Sequence, residues 1–210
     1  MQIKKNDVRE TIIKAAEKEF CEKGFKDASL RRIASEAGVT KGNIYTYFES
    51  KDRLFCELVQ PALDFIAERM NSEDFVDEYG DETRYTEKDA VDNMRFYVEG
   101  LSEHKEALKL LLFSSAGSSL AGYREEVFHL YTESTKDFFR KFNRQHPEFS
   151  FKISEMLIHS YASLFLSFIE EIIVHDPSED ELDMYINQIA RFVYHGNMGV
   201  LRGEPEKEIE

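Results

Sequence analysis

The sequence predicts an all-α protein, with an N-terminal three-helix helix-turn-helix head joined to a larger helical domain. Apolar residues recur at three- and four-residue steps through nearly every segment, no run alternates as a half-buried strand would, and glycine, proline and polar clusters fall between the segments. Charge divides the chain in the same place. Residues 1–60 hold 12 Lys/Arg against 10 Asp/Glu, and the other 150 hold 15 against 31. The overall net charge of −14 is therefore about +2 in the first part and −16 in the second. Of the 27 Phe and Tyr, 21 lie after residue 60. Two parts with different partners follow: a head over 1–50, a helical domain over 51–202, and a charged tail over 203–210 that reads as disordered.

The elements are expected as follows. Over 8–23 the apolar positions Val8, Ile12, Ala15, Ala16 and Phe20 share a helix face, and Gly24 stops it. Ser29 caps a short helix over 30–37 that Gly38 ends, and Thr40 caps another over 41–48. A fourth helix opens near Lys51 and holds Pro61, where a kink is expected. Residues 71–86 are acidic and read as a loop. Helices follow over 87–101, 104–115, 121–144 and 150–174, punctuated by GSS at 117–119 and HPE at 146–148. Ser178 with Glu181 forms a capping box for the last helix, which runs to about Gly196. Cys21 and Cys56 read as reduced, partly buried thiols. No apolar stretch reaches the ~20 residues of a membrane span, and no signal peptide opens the chain, so a cytoplasmic protein is expected.

Helix, glycine turn, helix over 30–48 has the form of a helix-turn-helix. Ile33, Ala34, Ala37, Val39, Ile44 and Phe48 supply its internal contacts. At 100° per residue, Ile44 and Phe48 point inward, Lys41, Gly42, Tyr45 and Thr46 point outward, and Tyr47 lies on the flank. A cation, a bare backbone, a phenol and a hydroxyl suit phosphates and base edges. Gly42 lets the helix start approach a phosphate. Lys51 is placed for a further phosphate, and Ser29 and Arg31 for the strand on the other side. A plain three-helix subdomain with a solvated polar face is the competing reading.

The stretch TIIKAAEKEFCEKGFKDASLRRIASEAGVTKGNIYTYFESKDRLFCELV (11–59) resembles the DNA-binding domain of the TetR family of transcriptional regulators. The carrying features are the helix ending in Gly24-Phe25 and the pattern IAxxAGVxKGxIYxYFxSKxxL over 33–54. The resemblance implies that the third helix enters the major groove. Thr40, Lys41, Gly42, Tyr45, Thr46 and Tyr47 are then the contacting positions, Lys51 and Ser29 hold phosphates, and Arg31 reaches the groove. Thr46 and Tyr47 depart from the residues common there, so base preference does not carry over. It also implies a homodimer on an inverted-repeat operator. The expected function is a sequence-specific transcriptional regulator, a repressor released by an unidentified small molecule. An enzyme, or a dimeric binding protein whose head serves protein contacts, is the alternative.

In the second part, the helix SEMLIHSYASLFLSFIEEIIV is apolar nearly all round, so one side needs a partner beyond its own core. The last two helices are expected to form a four-helix bundle across a two-fold axis. Leu157, Tyr161, Leu164 and Phe168 contribute from one helix, and Leu182, Tyr185, Ile189, Phe192 and Val193 from the other. The resemblance makes this part a ligand-binding and dimerisation domain. Candidate pocket residues are Phe65, Phe96, Tyr97, Leu111 and Phe113 in its first half and Tyr123, Phe128, Tyr131, Tyr161 and Phe165 in its second. Their rings favour an apolar or flat cationic ligand. No two histidines have the spacing of a local zinc pair, and His159 reads as a core histidine. DPSEDELD lacks the glycine of a calcium loop. No cofactor, metal site or nucleophile motif is expected.

Overall fold

The computed structural model describes residues 5–71, 86–145 and 153–202. Most of the expected loop over 71–86, the turn at 146–148 and the tail 203–210 lie outside the described residues. Among the described residues the elements are all helices: α1 Lys5–Asp27, α2 Leu30–Glu36, α3 Lys41–Tyr47, α4 Lys51–Asn71, α5 Glu87–Glu103, α6 Lys105–Phe113, α7 Tyr123–Gln145, α8 Glu155–His175 and α9 Glu179–Arg202.

Local chemistry accounts for most of the boundaries. Gly24 leaves the helical region at φ 70°, which breaks α1 where the sequence stops it. Gly38 turns the chain at φ 67° between α2 and α3. The Thr40 hydroxyl accepts the Asn43 N–H at 3.1 Å and caps α3. Ser50 caps α4 by accepting the Arg53 N–H at 3.0 Å. At α9 the expected box is present: Ser178 Oγ donates to Glu181 at 2.8 Å and accepts the Glu181 N–H at 3.4 Å. The Ser178 hydroxyl and the Ser178 N–H, which donates to the same carboxylate at 3.0 Å, hold the Glu181 carboxyl below its ordinary pKa.

Pro61 lies inside α4, as expected, and the helix continues past it to Asn71. Two boundary expectations need correction. Ser29 makes no side-chain cap to α2; its own N–H is committed to Glu19 instead, as described below. α9 runs past Gly196 to Arg202, because a helical glycine costs only about 1 kcal/mol and packing along the helix offsets it.

The chain divides into two compact units, residues 1–67 with 104–127, and 68–103 with 128–210. In the first, α1, α2 and α3 pack around Ile12, Ala16, Phe20, Ile33 and Ile44, all essentially inaccessible. The Phe20, Phe25 and Phe55 rings meet at 5.2–5.9 Å. α6 packs on α1 and buries Leu108, Leu110 and Leu111. The first unit thus reaches beyond residue 50, because the start of α4 and all of α6 complete its core.

In the second unit Val98 of α5, Ile172 of α8 and Ile186 of α9 form a core with Met94, Leu182 and Tyr185 packed against it. Polar pairs flank that core. Arg95 pairs with Asp183, and Glu87 takes Arg191 and His195, each at 2.8 Å. α8 has 21 residues and a mean hydropathy of 1.5 over its most apolar window, so by length and composition alone it could cross a bilayer, contrary to the sequence expectation. Its apolar side here meets α5 and α9, while Ser160, Ser163, Ser167 and Glu171 are exposed.

Candidate nucleic-acid interface

α2 and α3 meet through Ile33, Ala34, Ala37 and Ile44, with Phe48 behind them, all buried as expected. The Val39 N–H donates to the Ala34 carbonyl at 2.9 Å and holds the turn closed. This packing uses one face of α3. The opposite face is left to solvent: Lys41, Gly42, Asn43, Tyr45 and Thr46 are all exposed, Tyr45 at 49%. Lys41 Nζ lies 5.8 Å above the Tyr45 ring. Thr46 Oγ donates to the Gly42 carbonyl at 3.4 Å, one turn back. Tyr47 is half-buried. It lines an open cavity of about 270 Å³ with Phe48, Glu49, Arg53, Cys56, Glu57 and Gln60, away from the centre of the exposed arc.

Gly42 stands apart from the turn glycines. Its φ is not positive, and a Cβ there would meet only Thr40 Oγ, at an ordinary 3.9 Å. The fold does not need glycine at this position. A glycine inside a seven-residue helix lowers its stability by roughly 0.5–1 kcal/mol against alanine. The bare backbone there leaves room for close approach of another molecule.

The cations of this unit fall into two classes. Arg9 pairs with Glu57, Lys18 with Glu36 at 2.8 Å, and Arg32 with Glu19 at 3.2 Å and Glu22 at 3.6 Å. Arg31 and Lys41 are exposed and have no ion pair among the described residues. Lys51, expected to hold a phosphate, is half-buried. Its ammonium donates to the carbonyls of Phe25 at 2.6 Å, Ala28 at 3.0 Å and Lys26 at 3.3 Å. It also lies 4.5 Å from the Phe25 ring centroid. An ammonium has three donors, and these carbonyls occupy them. Its role in the structure is to tie the α1–α2 corner to the start of α4.

Two supporting residues escaped the sequence reading. Glu19, 6% exposed, accepts the Ser29 N–H at 3.0 Å and pairs with Arg32, which sets the start of α2 beside Arg31. An acid on the apolar face of α1 was the available signal. Asp52 accepts the Ser119 N–H at 2.7 Å and its hydroxyl at 2.8 Å. Burial works to raise the Asp52 pKa, but these hydrogen bonds, with a weaker one from Cys56, hold it below the ordinary value. Both cysteines are free; Cys56 is half-buried, whereas Cys21 is exposed rather than partly buried.

The other candidates separate by unit. In the first, Phe65 and Leu111 are core residues, Tyr123 is half-buried and Phe113 is exposed. In the second, Tyr131 and Phe165 stack at 4.4 Å, and Tyr97 meets Phe165 edge-on at 6.2 Å. Burial, with the nearby Tyr97 and Tyr161, pushes the Tyr131 phenol far up. Arg69 lies 4.0 Å from the Phe96 ring centroid and 5.4 Å from that of Tyr97. Phe128 is half-buried and meets His159 at 6.0 Å; His159 is exposed, not a core histidine, because it sits on the outer side of α8.

Part of the expected dimer stripe on α9 packs within its own chain. Ile189 is 5% exposed within its own chain, and Leu182 and Tyr185 pack on the Val98 core. Val193 is half-buried, as are Leu157, Tyr161, Leu164 and Phe168 on α8. Outward-facing apolar side chains on α9 include Phe192, one of the expected interface residues, at 61%, and Met184, which the periodicity left out, at 57%. Periodicity marks an apolar stripe but not which stripe faces inward.

A family model, "Bacterial regulatory proteins, tetR family", matches residues 12–58. YdgC of Bacillus subtilis (strain 168), an HTH-type transcriptional regulator, is 41% identical over 59 residues, 28% of this chain and 30% of that protein. The HTH-type transcriptional repressor BepR of Brucella suis biovar 1 (strain 1330) is 43% identical over 53 residues, 25% of each chain. The chain thus spans less than a third of the length of these curated relatives. Likeness over the whole fold comes from SCO3833, a TetR transcriptional regulator family member from Streptomyces coelicolor A3. Its TM-score is 0.60 at 19% identity, covering 88% of this chain and 90% of that one. Residues 12–58 thus match the model of the tetR family of bacterial regulatory proteins, and the likeness of the remainder is one of fold.

Proposed function

We propose that the protein is a sequence-specific DNA-binding transcriptional regulator, a repressor that acts as a homodimer in the cytoplasm. Functionally, residues 1–50 form the DNA-binding head and 51–202 the ligand-binding and dimerisation part. The observation that carries this is the outer face of α3, which holds a cation, a phenol and an amide around a glycine the fold does not require. Lys41, Tyr45 and Arg31 contact phosphates, with Ser29 at the start of α2. Gly42, Asn43 and Thr46 lie at the centre of the arc, over the base edges, and Tyr47 lies at its margin. Thr40 acts by capping α3 and Lys51 by bracing the corner, each placing the helix rather than reaching DNA. Two copies of α3 about 34–36 Å apart meet successive major grooves of an inverted repeat. The acidic remainder, repelled by phosphates, favours docking by the head.

A small-molecule effector is taken to bind the aromatic cluster of Tyr97, Tyr131, Tyr161 and Phe165. The faces of Phe96 and Tyr97 already carry the Arg69 guanidinium, which weighs against the flat cation that the composition suggested. Release of DNA requires the effector to prefer one of two states, with coupling of typically 1–3 kcal/mol. α4, which begins beside the head and runs to Asn71, is the element suited to carry that change.

In vitro selection of the purified chain from random double-stranded DNA tests the reading. Enrichment of an inverted repeat, with binding lost in Lys41→Ala while the helical circular dichroism stays unchanged, is the expected result. Selection of no sequence would sink it.

A further inference from the structure

Resting on the DNA-binding reading above, we infer that Asn43 and Thr46 together read one A·T pair in each half-site, the amide of Asn43 taking adenine and the methyl of Thr46 taking thymine. The sequence pattern left Asn43 aside, and the structure brings it forward. It is exposed, three residues after the cap of a short helix. An asparagine in a first helical turn commonly turns its amide onto nearby backbone. Here the Asn43 N–H is already taken by Thr40 Oγ, and the side-chain amide makes no hydrogen bond among the described residues. A donor and an acceptor on one planar group thus stand free on the exposed side of α3. That pair matches the N6 donor and N7 acceptor that adenine shows in the major groove.

Thr46 lies one turn on from Gly42 and about 60° around the helix from Asn43. Its hydroxyl is turned back to the Gly42 carbonyl, so the group it offers outward is a methyl. The thymine C5-methyl, on the partner base of the adenine, is the apolar feature such a methyl contacts. Gly42, beside Thr46 on the same face, adds no side chain, and the fold does not require its bareness. The other exposed groups of α3 suit a different task. Lys41 is a mobile point charge over the Tyr45 ring, and Tyr45 ends in one hydroxyl; neither presents a paired donor and acceptor.

The test compares sequence preferences after in vitro selection from a random DNA library. Wild type is expected to select one A·T pair, symmetric between half-sites, that it prefers over other pairs by at least about tenfold. Asn43→Ala, which raises helix propensity and therefore folds, is expected to level the preference at that pair and leave the other positions as they were. Replacing that thymine by uracil, which removes only the methyl, is expected to weaken wild type and Thr46→Val but not Thr46→Ser. Replacing the adenine by 7-deazaadenine is expected to weaken wild type but not Asn43→Ala. An unchanged preference in Asn43→Ala, or a uniform loss across all sequences with no change at any one pair, overturns the inference while leaving DNA binding intact. Failure of wild type to select any sequence overturns both.

Discussion

Gly42 is the residue at which stability and binding are expected to part. Its helical backbone and open surroundings predict that Gly42→Ala stabilises the fold by roughly 0.5–1 kcal/mol. The same methyl would stand where DNA approaches most closely, so affinity is expected to fall at least about tenfold, the effect of 1.4 kcal/mol. Thermal melts and gel shifts at fixed salt read the two signs separately; a variant that gains both, or loses both, would count against the close approach. Lys51 predicts the reverse. Lys51→Met removes three donors from the carbonyls of Phe25, Lys26 and Ala28. It is expected to lower stability by about 1–3 kcal/mol and to weaken DNA binding only through that loss. Urea unfolding measures the first. A steep drop in the salt dependence of binding with stability unchanged would return Lys51 to the phosphate.

The segment between α6 and α7 behaves as a strap on the head. The Ser114 carbonyl accepts the Phe25 N–H at 2.8 Å, and Ser119 donates twice to Asp52 at the start of α4. Gly117 and Gly122, at φ 86° and 90°, let the strap turn. Asp52→Asn is expected to cost about 1 kcal/mol at pH 7. Because the folded pKa of Asp52 is depressed, its contribution is full above the unfolded carboxylate value of about 3.9 and fades as pH falls through the folded one. Urea melts should therefore show a constant difference between wild type and variant from pH 7 to 5 that shrinks below about pH 4. A difference that already closes between pH 7 and 5 would refute the assignment. This strap marks the limit of what the sequence could convey. Helix starts were legible at Thr40 and Ser178, whose partners lie three residues away, and so were the inward residues of α2 and α3, since a 100° step fixes them. Asp52 meets a serine 67 residues on, and Lys51 meets carbonyls 23–26 residues back. No local pattern encodes such pairs. Asn43 was hidden differently, because a polar residue beside a glycine turn reads as generic surface until the structure shows its amide to be free.

Association between copies is where the two sides of α9 have their largest consequence. The helix has two apolar sides. Leu182, Tyr185, Ile186 and Ile189 turn toward α5 and α8, and Met184 and Phe192 turn outward. Phe192 meets Phe168 of α8 at a ring distance of 6.5 Å, so the two helices present their outer apolar surface side by side, as a four-helix bundle across a two-fold axis needs. An exposed phenylalanine of this kind is the aromatic anchor expected at the centre of an interface, and its loss typically costs 2 kcal/mol or more of association. Phe192→Asp is therefore expected to give a folded monomer, with half the mass in light scattering and unchanged helical circular dichroism. Ile189→Asp buries a carboxylate in the chain's own core and is expected to unfold the second unit instead of merely dissociating it. The pair of variants separates an interface from a core. If Phe192→Asp keeps the dimer mass while Ile189→Asp yields a folded monomer, then the inward stripe is the interface after all. If both reduce the mass without loss of helix, the two sides of α9 are shared between the copies. DNA binding adds a further check, since a folded monomer holds one α3 per molecule. Phe192→Asp should then retain affinity for a single half-site while losing its preference for the inverted repeat.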